Sequence, residues 1–170
     1  MFFSIFMLMT AFLSAQDELP RQFRGLSLGM NLDDLKAALL NDDYFNFRGD
    51  RDVSFLPIRE ESLIETTGPL FVKRAFFQLR DGKVFIMSFS LNTEIIDHYS
   101  VFTRFTEKYG SPASLNPASV TWETEDTRIS IERPLTVKYI DKIIFNDILN
   151  ESGLRESAQV QLRQDFLNEF

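Results

Sequence analysis

The sequence predicts an α+β fold: an antiparallel sheet built from a hairpin and a meander, helices packed mainly on one face, and a C-terminal amphipathic helix. Three observations carry this. Apolar residues alternate over positions 71–79 and 85–91 around Asp81-Gly82, the dipeptide favoured in a two-residue type I′ turn. Ile95, Tyr99, Phe102, Phe105 and Tyr109 follow at helical spacing. The alternation of strand and helix that builds a parallel sheet is missing. A length of 170 residues suits one domain.

Residues 22–28 read as a short strand. Asn31 caps a first helix with Asp33 and Asp34 in its opening turn, where free backbone N–H groups favour negative charge. Leu32, Leu35 and Leu39 mark its apolar face. Asn41-Asp42-Asp43 and residues 48–52 are loop around the aromatic stretch 44–47. Two short strands, 53–56 and 63–66, are separated by Pro57 and closed by Gly68-Pro69. In the hairpin, Phe71, Ala75, Phe77, Leu79, Phe85, Met87 and Phe89 share one face by alternation. Phe76, Val84 and Ile86 share the other.

The second helix starts at Thr93 or Asp97 and runs to Tyr109, with Lys108 in its last turn. Gly110 supplies a left-handed end and Pro112 prevents continuation. Strands at 120–124, 128–133 and 136–140 form the meander. Leu154, Ala158, Leu162, Phe166 and Phe170 lie four apart and define the C-terminal helix, 154–170. The order gives two copies of a helix followed by three strands, which suggests an internal duplication. Phe77, Phe85, Met87, Phe89, Phe102, Phe105 and Trp122 are expected to be buried together.

Residues 1–15 are uncharged and mostly apolar. The run is too short to span a bilayer, which takes about 20 residues. It suits the apolar region of a signal peptide ending in Ser14 and Ala15. No Lys or Arg precedes it, and cleavage after Ala15 would leave Leu13 at the −3 position. An uncleaved interfacial anchor and a buried first strand are the alternatives. Residues 16–153 form the expected single α+β domain, exported to a periplasm or cell envelope and without a stable transmembrane span once the signal is removed.

Composition excludes several chemistries. The net charge of −7 argues against nucleic acid as a partner. The chain has no cysteine and one histidine, His98, so disulfides, thiolate nucleophiles, cysteine zinc sites and paired-histidine sites are excluded. Phenylalanine is unusually frequent, at 18 residues.

Leu28-Gly29-Met30-Asn31-Leu32-Asp33-Asp34-Leu35 resembles the opening of BamE-like (SmpA/OmlA) envelope domains. Lys108-Tyr109-Gly110-Ser111-Pro112, Trp122-Glu123 and Arg128-Ile129-Ser130-Ile131 resemble a pattern found in bacterial exported proteins, where a helix is followed by a Trp-bearing strand. The likeness covers residues 22–140 in pieces. It implies a small helix-on-sheet domain that acts by binding. Gln16 stands where a lipoprotein would carry its acylated Cys, so membrane tethering is not implied, and no functional residue is carried over.

Gly25-Leu26-Ser27-Leu28-Gly29 matches the nucleophile-elbow pattern G-x-S-x-G, with His98 later in the chain. The bland reading puts Leu26 and Leu28 in the core and Ser27 outside. Asp42, Asp43, Asp50 and Asp52 offer oxygen ligands, yet placing Gly49 at position 6 of an EF-hand loop puts Tyr44 at position 1, where the template fails. Arg48-Gly49-Asp50 spells the adhesion tripeptide and reads equally as a charged turn.

No catalytic, cofactor-binding or metal-binding residue is expected from these patterns. The expected function is a non-enzymatic protein-interaction domain whose partner is another envelope protein or a second copy. Its candidate contact residues are Leu162, Phe166 and Phe170 on the last helix, and Phe76 and Ile86 on the second hairpin face. The alternative is a carrier or sensor holding an apolar small molecule or lipid between sheet and helices. A serine hydrolase using Ser27 and His98 is the remote one.

Overall fold

The computed structural model describes residues 18–56 and 61–167. The expected signal segment 1–15 and the candidate Phe170 lie outside these residues. The fold is α+β, and among the described residues it has one eight-stranded antiparallel sheet, a separate two-stranded hairpin and three α-helices.

β1 (Gln22–Phe23) and β2 (Leu26–Ser27) pair as a miniature hairpin. Arg24 takes a φ of 56° at its turn, so the single strand expected over 22–28 is broken in two. α1 (Leu32–Leu40) begins at Asn31, whose side chain accepts the Asp34 N–H, and buries Leu35 and Leu39. A turn of 3₁₀ helix, Gly49–Asp52, leads into β3 (Val53–Leu56), followed by β4 (Glu61–Thr66). β5 (Val72–Arg80) and β6 (Lys83–Leu91) form the hairpin. Asp81 and Gly82 both have positive φ, as a type I′ turn demands.

α2 (His98–Tyr109) is capped by Asp97 and ends at Gly110, whose φ is 76°. β7 (Ser114–Leu115), β8 (Ser119–Glu123), β9 (Thr127–Glu132) and β10 (Thr136–Asp141) complete the sheet. α3 (Lys142–Leu167) closes the described chain. It starts twelve residues before the expected Leu154, because β10 runs into it with no loop residue between.

Strand order is β3-β4-β5-β6-β10-β9-β8-β7. Two four-strand meanders therefore meet where β6 pairs with β10, Phe89 opposite Val137 and Met87 opposite Tyr139. Each meander follows a helix, so the repeat is helix plus four strands rather than three. The fourth strand of the second unit, β7, is two exposed residues with no alternation to announce it.

Register shifts interrupt the β5–β6 ladder between Val72 and Arg74 and between Gln78 and Leu79. An extra residue in one strand moves the following side chains to the other face. Val72 and Val84 thus join Ala75, Phe77, Leu79, Met87 and Phe89 in the main core, which α1 and α2 cover. Phe85 turns to the opposite face with Ile86 and Ile140, under Ile144, Phe145 and Ile148 of α3. Two corrections follow: Val84 and Phe85 have exchanged their expected faces, and Phe102 and Phe105 are only partly buried.

Candidate functional site

α3 is fastened to the body over its first turns, and several apolar side chains beyond them are exposed. Asp141 Oδ1 accepts the N–H groups of Ile143 and Ile144, each at 3.1 Å, capping the helix. The other oxygen of Asp141 pairs with the Arg21 guanidinium, which also meets Asp126 at 3.1 Å. Arg80 and Glu151 join helix to hairpin at 2.6 Å. Further on, Leu154, Val160, Leu162, Phe166 and Leu167 are 52–72% exposed. At 3.6 residues per turn, Leu162 and Phe166 continue the face of Ile144 and Ile148, while Val160 and Leu167 extend that of Leu149 about a third of a turn away. Leu154 lies on the other flank. The distal helix therefore carries apolar side chains in several directions, not the single stripe that four-residue spacing predicts.

Of the sequence-selected contact residues, Leu162 and Phe166 stand on this distal segment. Ile86 does not belong with them: it is 9% exposed because α3 packs over it. Phe76 is half-buried on that same sheet face. Leu149, Val160 and Leu167 were legible at spacings of 11 and 7, which place residues on one helix face.

A second surface lies under α2. No residue of this helix is fully buried, although Val101, Phe102, Phe105 and Tyr109 all face the core. Its C-terminal end rests on Trp122, with ring centroids 6.4 Å from Phe102 and 5.7 Å from Phe105. The Trp122 indole N–H donates to the Gly110 carbonyl at 2.9 Å. At the other end Asp97 accepts the Ser100 N–H and hydroxyl at 2.8 and 2.6 Å, and these bonds hold its carboxyl below the usual range. Between this cap and the Trp122 contact a cleft of about 280 Å³ opens between α2 and the sheet.

Its floor is aromatic, with the Phe23 ring 4.6 Å from Phe89 and Tyr139 6.2 Å from Phe89. Burial pushes the Tyr139 phenol above its ordinary value, so it stays neutral. Ser100 and Arg104, one turn apart on α2, are the polar residues of the lining. Phe23, Val101 and Arg104 share no sequence signal, since the cleft is assembled from β1, α2, β6 and β10.

Residues 21–151 match the family model described as the TP0088 domain. The chain belongs to that family. No curated protein and no solved structure matches it. The likeness to BamE-like domains therefore rests on its sequence fragments alone. The TP0088 domain takes in both sheet units, the cleft and the docked turns of α3, and the match ends at Glu151, where Arg80 fastens the helix.

Within the TP0088 domain, Ser27 is held in β2 opposite Gln22, four residues before the α1 cap. A nucleophile elbow instead needs the serine on the turn between strand and helix. His98 is the first residue of α2. Three of the four loop aspartates are tied to separate cations: Asp42 to Arg24 at 2.7 Å, Asp50 to Lys36 at 2.8 Å, and Asp52 to Arg48. The same pairs occupy both charges of Arg48-Gly49-Asp50. A polar hollow of about 370 Å³ beside β3 has Arg48, Asp52 and Glu65 in its wall, and each of these is ion-paired.

Proposed function

We propose that this protein is a non-enzymatic, exported binding domain that engages a protein partner through the distal half of α3. The exposure of Leu154, Val160, Leu162 and Leu167 beyond the docked turns is the observation that carries the reading. Side chains pointing in several directions leave one or more faces wet on a flat surface, whereas a groove closing around the helix covers them. The sequence over 155–167 has two Arg against one Glu and one Asp, without the Lys/Arg enrichment of a helix that lies on membranes. No helix among the described residues is long and apolar enough to cross one. Export rests on the apolar, uncharged residues 1–15.

The partner can be captured at the helix itself. A photo-crosslinking side chain at position 162, in the full chain in its native cell, is expected to give one discrete protein adduct. Leu154→Asp should remove that adduct without moving the melting temperature. Deleting 155–170 should likewise leave the melting temperature nearly unchanged. If the truncated chain unfolds, the helix belongs to the core and the interaction reading fails. An adduct between two copies of the chain would identify the partner as a second copy.

A further inference from the structure

We propose that the cleft under α2 is a binding site for a single-chain fatty carboxylate of medium length. It lies on the sheet face opposite the docked turns of α3, so this site is independent of the helix reading. Phe89 and Val137 form its apolar floor and Val101 and Phe105 its wall, while Ser100 and Arg104 are the polar groups of the lining. This is the common construction of small-molecule sites, an apolar body with a few polar groups that fix orientation.

Volume selects the tail. About 280 Å³ lies at the small end of small-molecule sites, which suits one hydrocarbon chain of medium length rather than a bulkier ligand. Charge selects the head. Arg104 meets Glu107 through one nitrogen at 3.3 Å, and its side chain is 78% exposed. The planar guanidinium retains donors that match a carboxylate in bidentate fashion. Ser100, one turn before it on the same helix face, already donates its hydroxyl to Asp97, so Arg104 is the donor of the lining that a head group would meet. An amphiphile with its tail on Phe89 and its carboxylate on Arg104 would bury the apolar wall that leaves α2 only half-covered.

Calorimetric titration of the full chain tests this, using decanoate below its micellar concentration, decanol and butyrate. Decanoate is expected to bind one per chain, at least tenfold tighter than decanol, with butyrate silent. Arg104→Glu changes an exposed residue and should abolish decanoate binding while leaving decanol unchanged. Val101→Trp fills the cleft and should abolish both; if that variant does not fold, Arg104→Glu decides. Absence of saturable decanoate binding overturns the site. Equal affinity for decanoate and decanol, or decanoate binding that survives Arg104→Glu, overturns the assignment of the head group to Arg104.

Discussion

Asp52 is a buried carboxylate whose position depends on one neighbour. It accepts the Arg48 backbone N–H at 2.9 Å and the guanidinium Nε–H at 2.9 Å. Burial alone would raise its pKa, but the Arg48 hydrogen bonds and charge outweigh this and hold the carboxyl below the usual range. A depressed carboxylate stabilises the fold above its unfolded pKa near ~3.9, and that contribution disappears as pH falls through the folded value. Arg48→Met is therefore expected to lower stability at pH 7, and the gap to the parent should narrow by pH 3. Urea midpoints at the two pH values check it; an equal gap at both would show a packing effect instead. The aromatic residues divide in the same way by environment. Phe77 is fully buried, with its ring 5.8 Å from Phe89, and Phe77→Ala should cost about 3–5 kcal/mol. Phe102 is only partly buried against Trp122, so Phe102→Ala should cost roughly 1–2 kcal/mol. Chemical denaturation of both variants reads the contrast.

At the scale of elements, caps and turns were the most legible features. Asn31 and Gly110 end their helices as expected, and of the two starts offered for α2 the structure takes Asp97 rather than Thr93; a cap needs only a side-chain oxygen or a glycine at the right place in the local sequence. α3 lacked such punctuation. Its cap, Asp141, is also the last residue of β10, so strand passes to helix without a turn signal. Removing that carboxylate with Asp141→Ala is expected to cost about 1–2 kcal/mol, near the upper range for a cap, since the Arg21 pair goes with it. Thermal melts of D141A and of Arg21→Met should then shift in the same direction, and an unshifted D141A would show that the helix start does not depend on this cap. The bulges were illegible for a different reason. Alternation counts residues, and an extra residue in one strand is visible only once its partner's register is known.

Across the whole molecule, stability should follow the layers. β5, β6 and β10 have neighbours on both sides in the sheet, and β6 is buried on both faces. The distal turns of α3 carry exposed apolar side chains beyond the Arg80–Glu151 ion pair. Native-state hydrogen exchange is expected to protect Phe77, Met87 and Tyr139 amides close to the global unfolding limit, while amides beyond Glu151 exchange through local opening. Equal protection along all of α3 would contradict this layering and the proposed helix surface with it. The central pairing of β6 with β10 also explains why the duplication was only suggestive from sequence. The two units share an arrangement of helix and meander, while their edges, β3 and β7, differ in length.

Local chemistry by itself determined the hairpin turn at Asp81-Gly82, the caps of α1 and α2, the antiparallel class and the aromatic character of the core. Each of these depends on residues within a few positions of one another. The direction of Phe85, the burial of Ile86, the cleft beneath α2 and the exposed length of α3 were decided only by tertiary structure. Phe85 and Ile86 take their environment from α3, which reaches them from more than fifty residues away in the chain, and the cleft exists because α2, resting on Trp122 at one end, lies across strands β6 and β10. Apolar spacing specifies which side chains leave water; which surface receives them depends on packing between distant segments, and that information is not contained in any one of them.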